Sequence, residues 1–313
     1  MTTHKDYKLS VIIPVYNEAE NIPVLLEKLK TNIPTASYEI IFIDDGSTDN
    51  TLNVLKDLKN KMPRLEWISF SRNFGHQYAL RAGLAKATGD AVISMDGDLQ
   101  HPPEIIPQLI QNWQVGYDIV YTIRQENKNQ SFFKRKTSNL FYKILNFMTS
   151  VNVPKGAADF RLLDKKVVHI LNNSPERDLF LRGYITWTGF KQIGIPYQVA
   201  KRHAGKSSYT LSKMIRLAWM GITSFSIMPL RIASVIGFLT TLLGFLYACY
   251  VVYMKIFTNH FIVTGWTSVL VSVLLIGGVQ LMIMGILGEY LGLIYLETKK
   301  RPNYIIQESS FEE

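Results

Sequence analysis

The sequence lacks the features that mark several large classes of protein. One cysteine, Cys249, occurs in 313 residues, so an internal disulfide is excluded. Neither GxGxxG nor GxxxxGK[ST] is present, which argues against a dinucleotide-dependent oxidoreductase and a P-loop NTPase. The opening segment, MTTHKDYKLS, is polar, so no signal peptide is predicted. No histidine has a second histidine or a cysteine at zinc-ligand spacing, and a zinc site is not expected.

Long uncharged runs are present towards the C-terminal end. Residues 232–253 and 267–288 are runs of about 22 residues each without a charged side chain. At about 1.5 Å per residue, each run spans roughly 33 Å as a helix, close to the hydrocarbon thickness of a bilayer. Each run is therefore predicted to be a transmembrane helix. The alternative is a buried core helix of a water-soluble protein.

Basic residues indicate how these helices cross the membrane. Arg231 precedes the first run, Lys299–Arg301 follows the second, and Lys255 is the one lysine or arginine in the hairpin between them. The positive-inside rule then predicts a multi-pass protein of the inner (plasma) membrane with both termini and the N-terminal region in the cytoplasm. The net charge of +9 is attributed to anionic lipids and phosphorylated substrates, and no nucleic-acid partner is expected.

The N-terminal region alternates between apolar β-branched runs and segments with helical spacing. Strand and helix alternate about five times, which predicts an α/β domain with a mainly parallel sheet covered on both faces. In such sheets, ligands bind beyond the carboxyl ends of the strands. Residues 14–18, 44–47 and 96–100 are predicted to lie at such ends.

Two further segments combine basic residues with an apolar stripe. Residues 131–149 and 211–229 are predicted to be interfacial amphipathic helices beside the membrane spans; the alternative is that they pack on the sheet. The expected organisation is a cytoplasmic catalytic domain over 1–210, the second amphipathic helix, a transmembrane hairpin over 230–296 and a cytoplasmic tail over 297–313.

A cluster of acids and an amide occurs in MDGDLQHPPE, residues 95–104. The apolar residues before it are predicted to form a buried strand that ends at Asp96. Alternate residues of an extended chain share a side, so Asp96, Asp98 and Gln100 are expected to converge. Three such oxygen ligands favour Mg²⁺ or Mn²⁺, shared with substrate phosphates.

Six motifs identify a family resemblance: PVYNE, DDGSTD, RNFG, MDGDLQHPPE, ADFRLL and KRHAGKSSYT. Their order resembles that of glycosyltransferase family 2, and within it the polyprenyl-phosphate glycosyltransferases, which include dolichol-phosphate mannose synthase and bactoprenol glucosyltransferases. The motifs cover residues 14–210, and GEYLGLIYLETKKRPNY extends the resemblance through the second apolar run. The resemblance implies a GT-A (Rossmann-like) fold and inverting transfer of a sugar from a nucleotide-sugar to a polyprenyl phosphate.

The resemblance also implies roles for individual residues of the donor site. The nucleotide-sugar is expected to contact Pro14, Tyr16, Glu18, Asp45, Asp96, Arg202 and Lys206. Metal and diphosphate are expected at Asp96, Asp98 and Gln100, and the catalytic residues at Asp96, Asp98 and Asp159. Arg202 and Lys206 resemble a loop that closes on the donor; a solvated basic loop is the alternative.

The acceptor side is predicted from both the resemblance and the charges. Asp159 matches a position proposed as general base, but a phosphomonoester is mostly a dianion at neutral pH and needs little deprotonation. Asp159 is therefore alternatively expected to orient the acceptor or a basic partner. The acceptor phosphate is expected at Arg124, Lys134, Arg135, Ser138 and Arg161. Attraction of these charges to anionic lipid is the alternative.

The predicted reaction is transfer of one glucose from UDP-glucose to undecaprenyl phosphate for cell-envelope glycosylation. GDP-mannose, UDP-N-acetylglucosamine and an aminoarabinose donor remain open. A processive polysaccharide synthase is disfavoured because QxxRW and further spans do not occur. An inactive scaffold is disfavoured because the acid and amide set is intact. Further partners expected are a second copy, through the transmembrane helices, and a downstream flippase.

Overall fold

The structure is a computed structural model that describes residues 6–125, 156–176, 181–198, 226–257 and 265–311. It divides into two units, one formed by 1–221 with 301–313 and the other by 222–300. The predicted amphipathic segment 131–149 and nearly all of 211–229 lie outside the described residues.

The first unit is built on one mixed sheet, to which the described residues contribute eight strands. The strands are β1 (Leu9–Val15), β2 (Tyr38–Asp44), β3 (Leu65–Phe70), β4 (Ala91–Ser94), β5 (Ile119–Arg124), β6 (Ala157–Asp164), β7 (Gln192–Tyr197) and β8 (Ile306–Ser309). Their order is β7-β5-β6-β4-β1-β2-β3-β8. All except β6 and β8 run in one direction, so the predicted mainly parallel sheet is confirmed.

Helices connect these strands. They are α1 (Asn21–Asn32), α2 (Thr51–Lys61), α3 (His76–Lys86), α4 (Ile106–Gln114), α5 (Lys165–Asn172) and α6 (Leu181–Trp187). In α1, Ile22, Leu25, Leu26 and Leu29 are buried because their spacing places them on one helix face. The helix ends at Ile33, whose backbone is extended, as favoured for a residue that precedes a proline.

The centre of the sheet explains where the site lies. Every residue of β1 is buried, as expected for a parallel strand covered on both faces. β1 has β2 on one side and β4 on the other, so the chain order reverses direction at β1. In open α/β sheets, such a reversal leaves a ligand crevice at the carboxyl ends of the strands.

The end of the chain departs from the predicted tail over 297–313. Residues Ile306–Ser309 form β8, which pairs antiparallel with β3 at the edge of the sheet. The C-terminal segment thus belongs to the same unit as the N-terminal strands. The four residues of β8 are all exposed and show no alternation of apolar and polar side chains. The sequence therefore does not predict this strand or its pairing.

The second unit contains two long helices, α7 (Met228–Phe257) and α8 (Trp266–Thr298). Their apolar windows, Met228–Tyr250 and Val271–Thr298, have mean hydropathies of 2.0 and 2.2, and only 6% and 0% of those windows is buried. A core helix of a soluble protein is mostly buried, so this exposure favours the predicted membrane helices.

Candidate active site

The loops that follow β1 and β2 are hydrogen-bonded to each other. The side-chain oxygen of Asn17 accepts from the N–H of Thr48 at 2.8 Å, and the Asn17 N–H donates to the hydroxyl of Ser47 at 2.9 Å. Asn17 has a φ of 56°, a left-handed conformation in which asparagine is enriched. The loops that contain the PVYNE and DDGSTD motifs are therefore held together at the carboxyl edge of the sheet.

The predicted nucleoside-binding residues of the first motif have different environments. Pro14 is buried within β1, whereas the side chain of Tyr16 is 45% exposed. The carboxylate of Glu18 accepts from the side-chain amide of Asn21. Of these residues, Tyr16 has the exposed aromatic ring that stacking on a nucleobase requires.

Asp45 holds a third loop, the one between β3 and α3. Its carboxylate accepts from the N–H of Phe74 at 2.7 Å and from that of Gly75 at 2.9 Å. Asp45 is 4% exposed, and burial raises the pKa of its carboxyl despite these two donors. A carboxylate has further lone pairs, so contact with a nucleobase N–H stays a prediction beside this structural role.

The metal motif is not extended as the sequence predicts. β4 ends at Ser94, the chain turns after Asp96, and Leu99 has a φ of 62°. The alternation argument was therefore wrong for this segment, because a left-handed residue reverses the chain and breaks the two-residue period.

Hydrogen bonds join two of the predicted metal residues to a predicted acceptor residue. The Asp98 carboxylate accepts from the backbone N–H of Gln100 at 3.1 Å and from its side-chain amide at 2.8 Å. The side-chain oxygen of Gln100 accepts from Arg124, at the end of β5, at 3.1 Å. Because that oxygen is the only atom of the Gln100 side chain that could bind a metal, the two carboxylates are the better ligands in this arrangement.

Two histidines flank Asp96. His101 is 2% exposed, and its Nδ1 accepts from the Asp96 N–H at 3.0 Å, so Nε2 carries the proton when the ring is neutral. His101 Nε2 lies 3.6 Å from Asp96 Oδ2, and His76 Nε2 lies 3.5 Å from Asp96 Oδ1. Asp96 Oδ1 is itself buried and, apart from this contact with His76, has no hydrogen-bond partner, so it is available to a ligand that approaches it.

These residues fit a divalent cation shared with a substrate. In the described part of the chain, no three histidine, cysteine or acidic residues could hold a metal ion by themselves. Mg²⁺ in proteins commonly takes one or two carboxylates and completes its coordination with water and substrate phosphates. Asp96, with its unsatisfied oxygen, and Asp98 provide such a pair.

Asp159, in β6, lies in a cationic environment. Arg182 of α6 binds both of its oxygens, through Nε at 2.8 Å and Nη2 at 2.7 Å. Arg161 Nη2 donates to Asp159 Oδ1 at 3.2 Å, and His76 Nε2 is 3.5 Å from Oδ2. Burial raises the pKa of Asp159, but Arg182, His76 and Arg161 outweigh it and hold that pKa well below its usual value.

The same environment sets the charge of the neighbouring groups. Burial lowers the pKa of His76, yet Asp159 and Asp96 more than offset it and the pKa is raised. Burial lowers the pKa of Arg161 to about 10, which still leaves it charged at neutral pH. A carboxylate with a depressed pKa is a weak base, so the geometry favours the orienting role for Asp159 over that of a general base.

Three residues around the acids were not assigned from the sequence. His76 and His101 are among the histidines whose spacing disfavours a zinc site, and Arg182 falls in FLRGY, which carries no recognised motif. A residue's distance to Asp96 or Asp159 is set by the folded sheet, so no local pattern indicated these roles. The positions of His76, directly after RNFG, and His101, inside DLQHPPE, were the available signals.

Part of the predicted site lies outside the described residues: Lys134, Arg135, Ser138, Arg202 and Lys206. Their predicted roles stay predictions. Arg161 is described and is 5% exposed, with its guanidinium bonded to Ala158 and Asp159. That burial leaves little of Arg161 for direct contact with a lipid phosphate.

Comparison with known proteins gives a family match to the N-terminal half and relatives that cover nearly the whole chain. The model of "Glycosyl transferase family 2" matches residues 10–171. The chain is 43% identical over 311 residues to an uncharacterised glycosyltransferase, YkcC, of Bacillus subtilis, covering 99% of this chain and 95% of that protein. It is 43% identical over 305 residues to the bactoprenol glucosyl transferase of Shigella phage SfII, covering 96% of this chain and 98% of that protein.

Among solved structures, a mannosyltransferase of Pyrobaculum calidifontis in complex with GDP-Man and Mn²⁺ is similar, at 19% identity and a TM-score of 0.48, covering 67% of this chain and 61% of that one. The family match, together with the Rossmann-like sheet, confirms the predicted GT-A fold. The chain belongs to glycosyl transferase family 2.

Proposed function

We propose that this glycosyltransferase moves a single glucose from UDP-glucose to a polyprenyl phosphate, with inversion at the anomeric carbon. The observation that carries the proposal is the 43% identity, over 96% of the chain, to a protein named bactoprenol glucosyl transferase. Because that identity spans the apolar helices as well as the catalytic sheet, it supports a shared acceptor and not only a shared fold.

The acids at the end of β4 would hold Mg²⁺ or Mn²⁺ with the donor diphosphate. Asp96 and Asp98 are the proposed ligands, supported by the unsatisfied Asp96 oxygen. When bound, the ion would offset negative charge on the departing nucleoside diphosphate. The His101 ring accepts a hydrogen bond from the backbone N–H of Asp96 and so limits the movement of this acid.

The acceptor needs orientation more than activation. A phosphomonoester has a second pKa of about 6 and carries a nucleophilic oxygen at neutral pH. That oxygen forms the new bond to the anomeric carbon while the bond from this carbon to the diphosphate breaks. Asp159 stays ionised through its depressed pKa and holds Arg182 and Arg161 in place. These fixed cations would reduce the repulsion between two anionic substrates.

The membrane part brings the site to the lipid. Each CH₂ of a polyprenyl tail that stays in the bilayer contributes about 0.8 kcal/mol, so the enzyme is expected to act at the membrane surface. β8 follows both apolar helices and pairs with β3, which precedes them. This pairing supports a hairpin whose two ends reach the same side, which the basic flanks assign to the cytoplasm. The homo-oligomer and the flippase partner stay predictions.

A direct assay tests the proposal. Purified full-length protein in nanodiscs is supplied with undecaprenyl phosphate, Mn²⁺ and, in parallel, labelled UDP-glucose, GDP-mannose or UDP-N-acetylglucosamine. The expected product is a lipid that carries one glucose. Label incorporated from GDP-mannose alone would replace the proposed donor, a growing polymer would indicate a processive synthase, and no product with any donor would contradict transferase function.

A further inference from the structure

The segment after the second apolar helix is attached to β3 through residues 305–310. The β8 register pairs Ser69 with Glu308, and backbone bonds at 3.0 Å extend the contact on both sides, from Ser71 to Ile305 and from Ser310 to Trp67. The Glu308 carboxylate also lies 2.5 Å from the ammonium group of Lys56. No step of the proposed reaction uses this strand.

An aromatic column leads from this segment to the donor site. The ring of Tyr304 stacks on Phe70, with centroids 4.9 Å apart and an interplanar angle of 16°. Phe70, which is 1% exposed, meets the ring of Phe74 edge-on at 5.7 Å. The N–H of Phe74 is the 2.7 Å donor to Asp45. Three successive contacts thus connect Tyr304 to the carboxylate predicted to face the nucleobase.

The loop that carries Phe74 depends on outside support. It ends at Gly75, whose φ is 110° and whose absent Cβ would meet nothing within 4 Å. A glycine in open space does not restrain the backbone. If Phe74 moved, the buried carboxylate of Asp45 would lose two backbone donors, which is costly for a charged group. Packing on Phe70 and Tyr304 therefore helps to keep this loop on Asp45, beside the Arg72 guanidinium, which lies 4.1 Å from the centre of the Phe74 ring.

We propose that Tyr304 is a positioning residue for the nucleotide-sugar donor. Through Phe70 and Phe74 it holds the RNFG loop against Asp45, so the segment that follows the membrane helices completes the donor pocket of the catalytic sheet. This inference rests on the proposed function for the identity of the donor, but not for the identity of the acceptor.

The test compares variants of the full-length protein in nanodiscs. Tyr304→Ala removes the stacked ring, Tyr304→Phe keeps it, and Tyr304→Leu keeps apolar volume without the stack. Phe311→Ala is the matched control, because Phe311 lies in the same segment but contacts Lys86 and not the column. The readouts are the Kd of UDP with Mn²⁺ by calorimetry, the KM values of donor and acceptor, and the melting temperature.

The free energy of one aromatic pair corresponds to a change of about 3- to 10-fold in a binding constant. Tyr304→Ala is expected to raise the UDP Kd and the donor KM by that factor and to leave the acceptor KM unchanged. Tyr304→Leu should lie between, and Tyr304→Phe and Phe311→Ala should match the wild type. If Tyr304→Ala fails to fold, the donor KM of Tyr304→Leu decides whether Tyr304 positions the donor.

A melting temperature that falls with an unchanged UDP Kd would overturn the inference, as would equal losses for donor and acceptor. If the wild type binds UDP but glycosylates no lipid, the proposed acceptor fails while the variant comparison still applies. Absence of UDP binding by the wild type would overturn both.

Discussion

At the scale of single residues, the site gives each acid a different set of partners. Asp45 is bonded to backbone N–H groups, Asp98 to Gln100, and Asp159 to two arginines. Asp96 keeps a buried oxygen without a hydrogen-bond partner. Chemically identical side chains therefore differ in how available they are to a metal or a substrate.

Asp98→Asn is expected to reduce turnover about 10²- to 10³-fold, because one charge that supports the leaving diphosphate is lost. Its melting temperature should fall only slightly, since the amide oxygen can still accept from one of the two Gln100 donors. The measurement is the initial rate with saturating donor across a Mn²⁺ titration. Asp57→Asn, exposed on α2, is the control. Near-normal turnover with unchanged metal dependence would show that Asp98 is not a metal ligand.

His101 offers a matched pair of substitutions. The oxygen of an asparagine side chain occupies nearly the position of His101 Nδ1, whereas that of glutamine lies further out. His101→Asn should therefore keep an acceptor for the Asp96 N–H, and His101→Gln should leave this donor unpaired at a cost of about 1–3 kcal/mol. Equilibrium denaturation would measure the difference, and equal stability of the two variants would contradict this role.

The ion pairs of Asp159 predict a pH dependence of stability. Its folded pKa is below the ordinary value of 3.8, so its contribution is present above that value and is lost as pH falls towards the folded pKa. The difference in melting temperature between wild type and Asp159→Asn should be constant between about pH 5 and 6 and shrink below about pH 4. It should also decrease as pH rises above about 6.5, because His76, whose pKa Asp159 helps to raise, then loses its proton. A difference that already shrinks as pH falls from about 6 to about 5 would indicate a carboxyl with a raised pKa, as a general base would have.

At the scale of elements, three loops at the carboxyl edge support one another through backbone contacts. The DDGSTD loop reaches the RNFG loop at Gly46, where an added Cβ would lie 2.3 Å from the Arg72 carbonyl carbon. Gly46 also has a φ of 69°. Two separate constraints thus require glycine, one from the backbone conformation and one from the neighbouring loop.

An alanine in the left-handed conformation costs about 1–2 kcal/mol. Gly46→Ala is expected to destabilise the protein by more than this amount. Gly189→Ala is the matched control, since Gly189 has a φ of 72° but nothing within 4 Å of its Cβ position. Denaturant titration of both variants separates the cost of the left-handed conformation from the cost of the contact with Arg72. Equal losses would show that the contact with Arg72 is relieved at no cost.

At the scale of the whole molecule, the order of segments along the chain constrains the membrane topology. The catalytic strands β1 to β7 precede the apolar helices and β8 follows them, yet all belong to one sheet. If both helices cross the bilayer, an even number of crossings returns the chain to its starting side. The sheet thus supports the predicted return of the chain to one side, and the predicted cytoplasmic location of that side depends on the basic flanks alone.

Residue 259 is therefore expected on the far side of the membrane. An Asn259→Cys substitution, in a background lacking Cys249, should react with an impermeant thiol reagent added to intact cells. The control is Asn53→Cys, exposed on α2, which should react only after permeabilisation. The opposite labelling pattern would require a revised topology.

The sequence by itself determined the layered α/β architecture, the two apolar helices and the acids at strand ends. These follow from local patterns: β-branched runs such as VIIPV, helical spacing in α1, and uncharged runs of bilayer length. It also determined the family, because six short motifs kept their order. Each element and each single motif among these features depends on residues that are close together in the chain.

Only the tertiary structure decided which side chains meet. The 252-residue separation of Lys56 and Glu308 and the contact of Arg182 with Asp159 leave no periodic trace in the sequence. The turn at Leu99, in a left-handed conformation, likewise overrode the strand pattern of its motif. The period of apolar residues in the sequence indicates which face of a helix or strand is buried. Ion pairs and edge-strand pairing instead depend on how whole elements pack together. Because the entropic cost of closing a loop grows only slowly with its length, residues far apart in the chain can form such contacts.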